Sequence, residues 1–161
     1  MAGLRKLHAA FICGSGMKFL NRKWLLVLPI GVLGATGAVL GALNPGMEAQ
    51  TSPENPDARL RTRRYKVAIG DVRRSTLEII PKLWKYGSHW RVIESESENV
   101  VVAEVPVLVF IDELRVTLTA ENDFTRVDIY SKSRFPGGSD LGENRRHVLQ
   151  LLAALDEKFT G

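Results

Sequence analysis

Residues 110–119, with the sequence FIDELRVTLT, end in a strict alternation of apolar and polar side chains. Residues 124–133, FTRVDIYSKS, carry the same period of two, and both stretches therefore predict β-strands with one face toward a core. The intervening residues 120–123 predict a hairpin turn. Closing the hairpin there pairs Val116 with Val127, Leu114 with Ile129 and Asp112 with Ser131. A slip of two residues keeps these faces, whereas a slip of one turns the apolar set outward.

The remaining pattern predicts further elements around this hairpin. Residues 61–69 read as a strand, and Asp71 as the cap of a helix that Pro81 interrupts and Gly87 ends. Residues 90–95 and 99–105 predict another hairpin. A last helix opens at Asp140, with Glu143 as its capping-box partner. The predicted class is α+β, a small antiparallel sheet of about five strands with one or two helices packed on one face, over residues 60–161.

The N-terminal part predicts a membrane segment. Residues 24–43 contain no charge, and as a helix they would rise roughly 30 Å, the thickness of the bilayer core. Residues 1–23 hold all five basic side chains of the first 43 residues and no acidic one, which places this side in the cytoplasm. Residues 44–59 read as a linker. We therefore expect a single-pass protein of the cell envelope, with its C-terminal domain extracytoplasmic, either periplasmic or lumenal.

Other interpretations of this leader stay open. Met17 as the true start would give a secretory signal cleaved after Ala38 or Ala49, and the acid-free leader also has the composition of an organelle transit peptide. Gly37 and Gly41 form a small-xxx-small pair typical of helices that self-associate or dock on another membrane helix, although ordinary membrane-helix composition is the more common reason for such a pair.

Composition narrows the partner and cofactor classes. The 118 residues after the membrane segment contain 17 basic and 18 acidic side chains, so the basic total belongs to the leader and does not indicate nucleic acid. The lone cysteine, Cys13, leaves the domain without a disulfide. The three histidines lack metal-ligand spacing, and His147 reads as a surface residue, so we expect no metal and no cofactor.

One polar constellation stands out against the apolar faces. Asp112 lies on the core face of its strand and needs a donor, for which Arg145 is the candidate. Asp112 and its polar neighbours on the hairpin and the last helix indicate one of two things. They form either a site for an anionic group or a structural network that joins helix to sheet. The candidate residues are Asp112, Ser131, Ser133, Arg134, Ser139, Asp140, Asn144 and Arg145.

The same residues carry a family resemblance. The strings 110–113 (FIDE), 131–134 (SKSR) and 139–146 (SDLGENRR) resemble the signature of DUF1499, a bacterial and plastid family of domains of unknown function, over about residues 60–155. The chain departs from the family pattern at Tyr130, where members usually carry arginine, and at 105–107, where they carry a Ser-Arg pair. The family has no established activity, so the resemblance implies the fold and the named positions.

No enzyme signature accompanies these residues: the domain has no nucleophile elbow, no phosphate-binding glycine loop and no cysteine. We therefore expect a non-catalytic accessory or binding module of the envelope or of a membrane complex. The alternative is a hydrolase-like enzyme, or an anionic small-ligand-binding domain, that uses Asp112, Ser131 and Arg145.

Overall fold

A computed structural model of the protein describes residues 46–93, 97–108, 110–134 and 140–161. The strands are β1 (Glu48–Gln50), β2 (Arg63–Tyr65), β3 (Trp84–Lys85), β4 (Ser88–His89), β5 (Arg91–Ile93), β6 (Val100–Val107), β7 (Phe110–Glu121) and β8 (Phe124–Ser133). The helices are α1 (Ile69–Ile79) and α2 (Glu143–Thr160), and single 3₁₀ turns cover Ala58–Leu60 and Ile80–Lys82.

The main sheet has six strands, all antiparallel to their neighbours. Its order is β1-β8-β7-β6-β5, and β2 pairs with another part of β8. Strands β3 and β4 form a separate small hairpin. The predicted α+β class is confirmed in the described residues, with one more strand than expected in the main sheet.

The predicted faces of the central hairpin are correct, and its register is wrong by two residues. Leu114 lies opposite Ser131, and Asp112 lies opposite Ser133 rather than Ser131. The reason is the turn: Glu121 still pairs with Phe124, so only Asn122 and Asp123 connect the strands. Asn122 adopts a φ of 51°, the left-handed conformation that two-residue hairpin turns require.

The core lies between this sheet and the two helices. Apolar side chains of β6, β7 and β8 that point to one face are buried against the buried side chains of α2. The members from the long hairpin and α2 are Leu114, Val116, Leu118, Val127, Ile129, Val148, Leu151, Leu152 and Leu155. Burial of each such side chain stabilises the fold by about 1.5–3 kcal/mol. These contacts between α2 and the sheet therefore hold the helix in place across β8.

Several predicted boundaries move. Helix α1 begins at Ile69, so Asp71 lies in its first turn and is not its cap, and the predicted strand 61–69 shortens to β2. The helix ends at Ile79 before the 3₁₀ turn that contains Pro81, as expected, whereas Gly87 lies in the β3–β4 turn with a φ of 80°.

The folded domain also begins earlier than predicted. Residues 48–50 were expected in a linker, but they pair with 130–132 of β8 as the strand β1. Three residues without apolar alternation carry no pattern that predicts a strand. They form a strand only because they pair with β8. Within the described residues no helix is long and apolar enough to cross a membrane, and the predicted membrane segment 24–43, with Gly37 and Gly41, lies outside these residues.

Candidate functional site

The candidate site includes two side chains that face the core, one near the start of β7 and one at the end of β8. Asp112 lies on the core face of β7, as the alternation predicts, and is almost fully buried. Ser133 lies opposite it on β8, and its hydroxyl group is hydrogen-bonded to the Asp112 carboxylate. Burial raises the pKa of Asp112 above its ordinary value, and this hydrogen bond opposes the shift.

The segment that leads into α2 lies beside them. Gly142 precedes the helix with a φ of 79°, and Leu141 before it has a φ of 54°. The Asp140 carboxylate accepts hydrogen bonds from the backbone N–H groups of Gly142, at 2.8 Å, and Asn144, at 2.9 Å. The Asp140 carboxylate thus caps two N–H groups at the start of α2, but the predicted helix start is wrong: the N-cap residue is Gly142 and the helix begins at Glu143.

Asn144 joins three parts of the chain. Its amide nitrogen donates to the Met47 carbonyl oxygen at 2.9 Å and to the Asp140 carboxylate at 2.6 Å, and its amide oxygen accepts from the Ser131 hydroxyl at 2.7 Å. Asn144 and Ser131 are fully buried. The helix start, β8 and the segment before β1 are therefore held by one network of satisfied polar groups.

Glu143 gathers a second set of partners. Its carboxylate accepts a hydrogen bond from the Tyr86 hydroxyl at 2.8 Å and pairs with Lys85 and Arg146. Burial opposes ionisation of Glu143, but these donors outweigh it and lower its pKa to about 2. Glu143 was expected to close a capping box with the helix backbone. Instead it ties α2 to the β3–β4 hairpin.

His147 lies between the two acidic groups. Its Nδ1 atom is 3.7 Å from an Asp112 carboxylate oxygen, and its Nε2 atom is 3.7 Å from a Glu143 carboxylate oxygen. The imidazole is completely buried and packs edge-on against Trp90, with 5.7 Å between the ring centres. Burial lowers the pKa of His147 to about 3, so the ring is neutral at physiological pH. The prediction that His147 is a surface residue is wrong.

A cavity of about 420 Å³ opens above these groups. Carboxylate, hydroxyl and guanidinium groups lie at its polar side, from Asp112, Ser133, Asp140, Glu143 and Arg146. Apolar side chains form the rest of its lining: Met47, Tyr86, Val107, Leu108, Phe110 and Leu141. Its volume is within the range of sites for small molecules.

The structure brings together some of the predicted site residues and separates others. Asp112, Ser133 and Asp140 line the cavity, and Ser131 and Asn144 are buried in the network beside it. Arg134 lies elsewhere, hydrogen-bonded to Glu104 at 2.9 Å and to Glu113 at 3.1 Å. Ser139 lies outside the described residues.

The predicted pair of Asp112 with Arg145 does not form. Arg145 pairs with Asp57, in the segment between β1 and β2. The reason is the rotation of α2: its buried stripe includes Asn144, His147 and Val148, which turns Arg145 away from Asp112.

Sequence reasoning missed several groups of this site, among them Met47, Lys85, Tyr86, Glu143, Arg146 and His147. His147 lies four residues before Leu151 and eight before Leu155, a spacing that places the histidine on the apolar face of the helix. This pattern in the sequence could have predicted that His147 is buried. Met47, Lys85 and Tyr86 reach the site only through tertiary contacts. Among the described residues no group of three or more His, Cys, Asp and Glu side chains is arranged to hold a metal ion.

Comparison with solved structures finds distant similarities. CalU16 from Micromonospora echinospora is 14% identical over 58% of this chain and 68% of its own, with a TM-score of 0.45. Ara h 8.0201 is 11% identical, with a TM-score of 0.39, and TTHA0849 from Thermus thermophilus is 13% identical, with a TM-score of 0.34. Each of these two similarities covers 69% of this chain and 95% of the other. At these values the similarities carry no functional conclusion.

The sequence comparisons are more decisive. Among curated proteins none matches the chain. The family model described as "Protein of unknown function (DUF1499)" matches residues 42–155. This range includes every strand described above, helix α1 and α2 as far as Leu155, and it is most of the chain. The protein therefore belongs to the DUF1499 family.

Proposed function

We propose that the protein is a membrane-anchored, extracytoplasmic binding module of the cell envelope or of a membrane complex, and that it acts without catalysis. The observation that carries this proposal is the cavity of about 420 Å³, which combines an apolar lining with buried charged groups at one side. Such a combination suits a small amphipathic molecule, because the apolar lining excludes water and the polar groups orient one end of the ligand.

Charge indicates which polar end is favoured. The cavity is lined by three carboxylates and one guanidinium group. Glu143 already holds two cations, and Asp140 caps the helix. In the part of the chain that the structure describes, Asp112 has no lysine or arginine within ion-pair distance, and neutral His147 is its nearest nitrogen base. A ligand that brings an amine to Asp112 would supply the missing charge.

The alternatives fit these contacts less well. A hydrolase-like enzyme would use Asp112, Ser131 and Arg145 together, yet the Ser131 hydroxyl donates to Asn144 and Arg145 pairs with Asp57. A site for an anionic group would need a cation that is not already paired, whereas Arg134, Arg145 and Arg146 all contact carboxylates. These contacts favour a cationic ligand over an anionic one.

A pair of ligands with opposite charge tests the binding proposal. The full chain in phosphatidylcholine nanodiscs would be titrated calorimetrically with dodecylamine and with dodecanoate, with empty nanodiscs as the blank. We expect the amine to bind at least about ten-fold more tightly, because only the amine pairs with Asp112. Asp112→Asn should remove this preference, and Asp123→Asn, in an exposed turn, should keep it. Tighter binding of dodecanoate would favour the anionic-ligand alternative and contradict ours.

Topology is tested separately. A reporter enzyme that is active only outside the cytoplasm, fused after Gly161, should be active, and the chain should stay in the membrane fraction after a carbonate wash. Release into the soluble fraction with the loss of roughly forty residues would instead establish a cleaved signal.

A further inference from the structure

Exposed apolar side chains are concentrated at the mouth of the cavity. Seven large hydrophobic side chains are exposed in the described residues, and four of them line the cavity: Tyr86, Leu108, Phe110 and Leu141. Of the other three, Phe124 lies at the opposite end of the sheet, and Trp84 and Ile111 do not line the cavity. An apolar cluster of this kind marks an interaction surface, whereas a single exposed side chain does not.

The backbone at this mouth shows that these side chains are placed there at a cost. Tyr86, Leu108 and Leu141 adopt φ values of 49°, 52° and 54°. Glycine, asparagine and aspartate adopt this left-handed conformation most easily, and bulky residues seldom do. The Leu108 side chain is nevertheless 76% exposed, so burial in the core does not compensate for its strain, whereas Tyr86 is also held by the hydrogen bond of its hydroxyl to Glu143. Strain retained at an exposed position points to a surface that contacts something else.

The chain itself indicates what that contact is. Met47 lines the same cavity, and its carbonyl oxygen accepts hydrogen bonds from Asn144 and from the Ser133 backbone. Met47 is only the fourth residue after Leu43, the last residue of the predicted membrane segment. An extended chain covers at most about 3.6 Å per residue, so in an anchored protein Met47 lies within roughly 15 Å of the end of that segment. The mouth is therefore held close to the bilayer surface.

We propose that the four exposed apolar side chains that line the cavity dock into the outer interface of the bilayer that holds the anchor, so that the cavity opens toward the lipid. Tyrosine favours this interface, and leucine and phenylalanine enter its apolar edge. This inference rests on the anchor of the proposed function, and it names the source from which the amphipathic ligand enters the cavity. A lipid amine from the adjacent leaflet reaches Asp112 without crossing water.

Two matched labels test the docking. In the full chain with Cys13→Ser, a cysteine replaces either Leu108 or Asn122, and each carries the same environment-sensitive fluorophore. Both positions lie in turns with positive φ, at opposite ends of β7. In phosphatidylcholine vesicles that contain a nitroxide-labelled phosphatidylcholine, we expect quenching at 108 to be at least about two-fold greater than at 122. Equal quenching at both positions, in protein that floats with the vesicles, would overturn the docking and leave the anchor intact. Protein that does not float overturns the anchor and the docking together.

A second pair of variants shows whether the exposed apolar side chains at the mouth cause the difference in quenching between positions 108 and 122. Leu141→Ser removes one of these side chains, and Phe124→Ser removes a similarly exposed side chain from the far end of the sheet. We expect Leu141→Ser to reduce quenching at 108 and Phe124→Ser to leave it unchanged, with both variants retaining the circular dichroism spectrum of the folded protein. Unchanged quenching in folded Leu141→Ser would contradict the proposal. Binding of dodecylamine is measured in the same preparations, so a failure of docking is distinguished from a failure of the cavity to bind.

Discussion

The two turns that bracket β7 differ in chemistry although they share a conformation. Asn122 and Leu108 have φ values of 51° and 52°, and each lies in a turn between two long antiparallel strands. At Asn122 the residue type is the one that this conformation favours. At Leu108 a bulky apolar residue takes the same conformation and is 76% exposed. Turn geometry accounts for the positive φ in both cases, and the exposed leucine at the second turn is what we expect if that turn also contacts a partner beside the cavity.

The side chains behind the two turns differ in the same way. Near Asn122, charged groups meet at the surface, as in the pair of Arg64 with Glu121, which are both partly exposed. Such pairs contribute little to stability. Near Leu108, the buried side chains of Asp112 and His147 lie next to each other, with 3.7 Å between a carboxylate oxygen and Nδ1. The cavity end of the sheet therefore carries groups whose burial costs free energy, which is a pattern typical of functional sites.

The largest effect should be a dependence of stability on pH that arises at the cavity end. The pKa of His147 is about 3 in the folded protein and near 6.5 in the unfolded chain, so the unfolded state takes up a proton first as the pH falls. We expect the free energy of unfolding to decrease by up to about 1.4 kcal/mol per pH unit between pH 6.5 and pH 3. Urea unfolding of the full chain in a non-ionic detergent measures this slope.

Variants assign the slope to one residue. His147→Gln should remove most of it, and His89→Gln, which changes an exposed histidine of β4, should not. The raised pKa of Asp112 acts in the opposite direction, because its burial is relieved when the carboxyl group is protonated, and Glu143 adds to the loss only below about pH 4.5. A slope that is the same in His147→Gln would show that another group dominates.

The next effect comes from the buried network at the start of α2. Asn144→Ala should lower the free energy of unfolding by about 2–4 kcal/mol, because the Ser131 hydroxyl and the Met47 carbonyl oxygen lose their buried partner. Asp123→Ala, at the polar turn, should change it by no more than about 0.5 kcal/mol. Equal losses in the two variants would mean that the two ends of the sheet are held alike.

Much of the fold was predictable from period and turn residues, and the site was predictable only in part, through Asp112, Ser133 and Asp140. The alternation along β7 and β8 fixed which side chains face the core, including that of Asp112. The register failed by two residues because the pattern is the same after such a slip, and only the two-residue turn at Asn122 decides it. The predicted partner of Asp112 was wrong because the buried face of α2 carries Asn144, His147 and Val148, and Arg145, two residues from His147, points away from that face. Tyr86 and Lys85 reach Glu143 from a short separate hairpin, which no local pattern ties to the site.

An exchange of turn residues should have a smaller effect. Leu108→Asn places a favoured residue at positive φ and should raise the free energy of unfolding by about 0.5 kcal/mol, whereas Asn122→Leu should lower it by about 1 kcal/mol. Measurement in detergent removes any contribution of the bilayer. If Leu108→Asn destabilises the fold, Leu108 contributes to packing, and its placement needs no functional reason.

The smallest effect concerns the corrected partner of Arg145. A double-mutant cycle of Arg145→Met with Asp57→Asn should give a small favourable coupling, because these side chains pair at a partly exposed site. The cycle of Arg145→Met with Asp112→Asn should give none. A coupling of Arg145 with Asp112 would instead restore the pairing that the sequence suggested.

Hydrogen exchange distinguishes the two ends of β7, which we expect to have different roles. The full chain in phosphatidylcholine nanodiscs is compared with the same chain in detergent, with and without dodecylamine. We expect peptides that cover 107–112 to be protected by the bilayer and further protected by the amine, and peptides that cover 119–125 to be unaffected by either. Equal protection at both ends, or none at 107–112, would contradict the account.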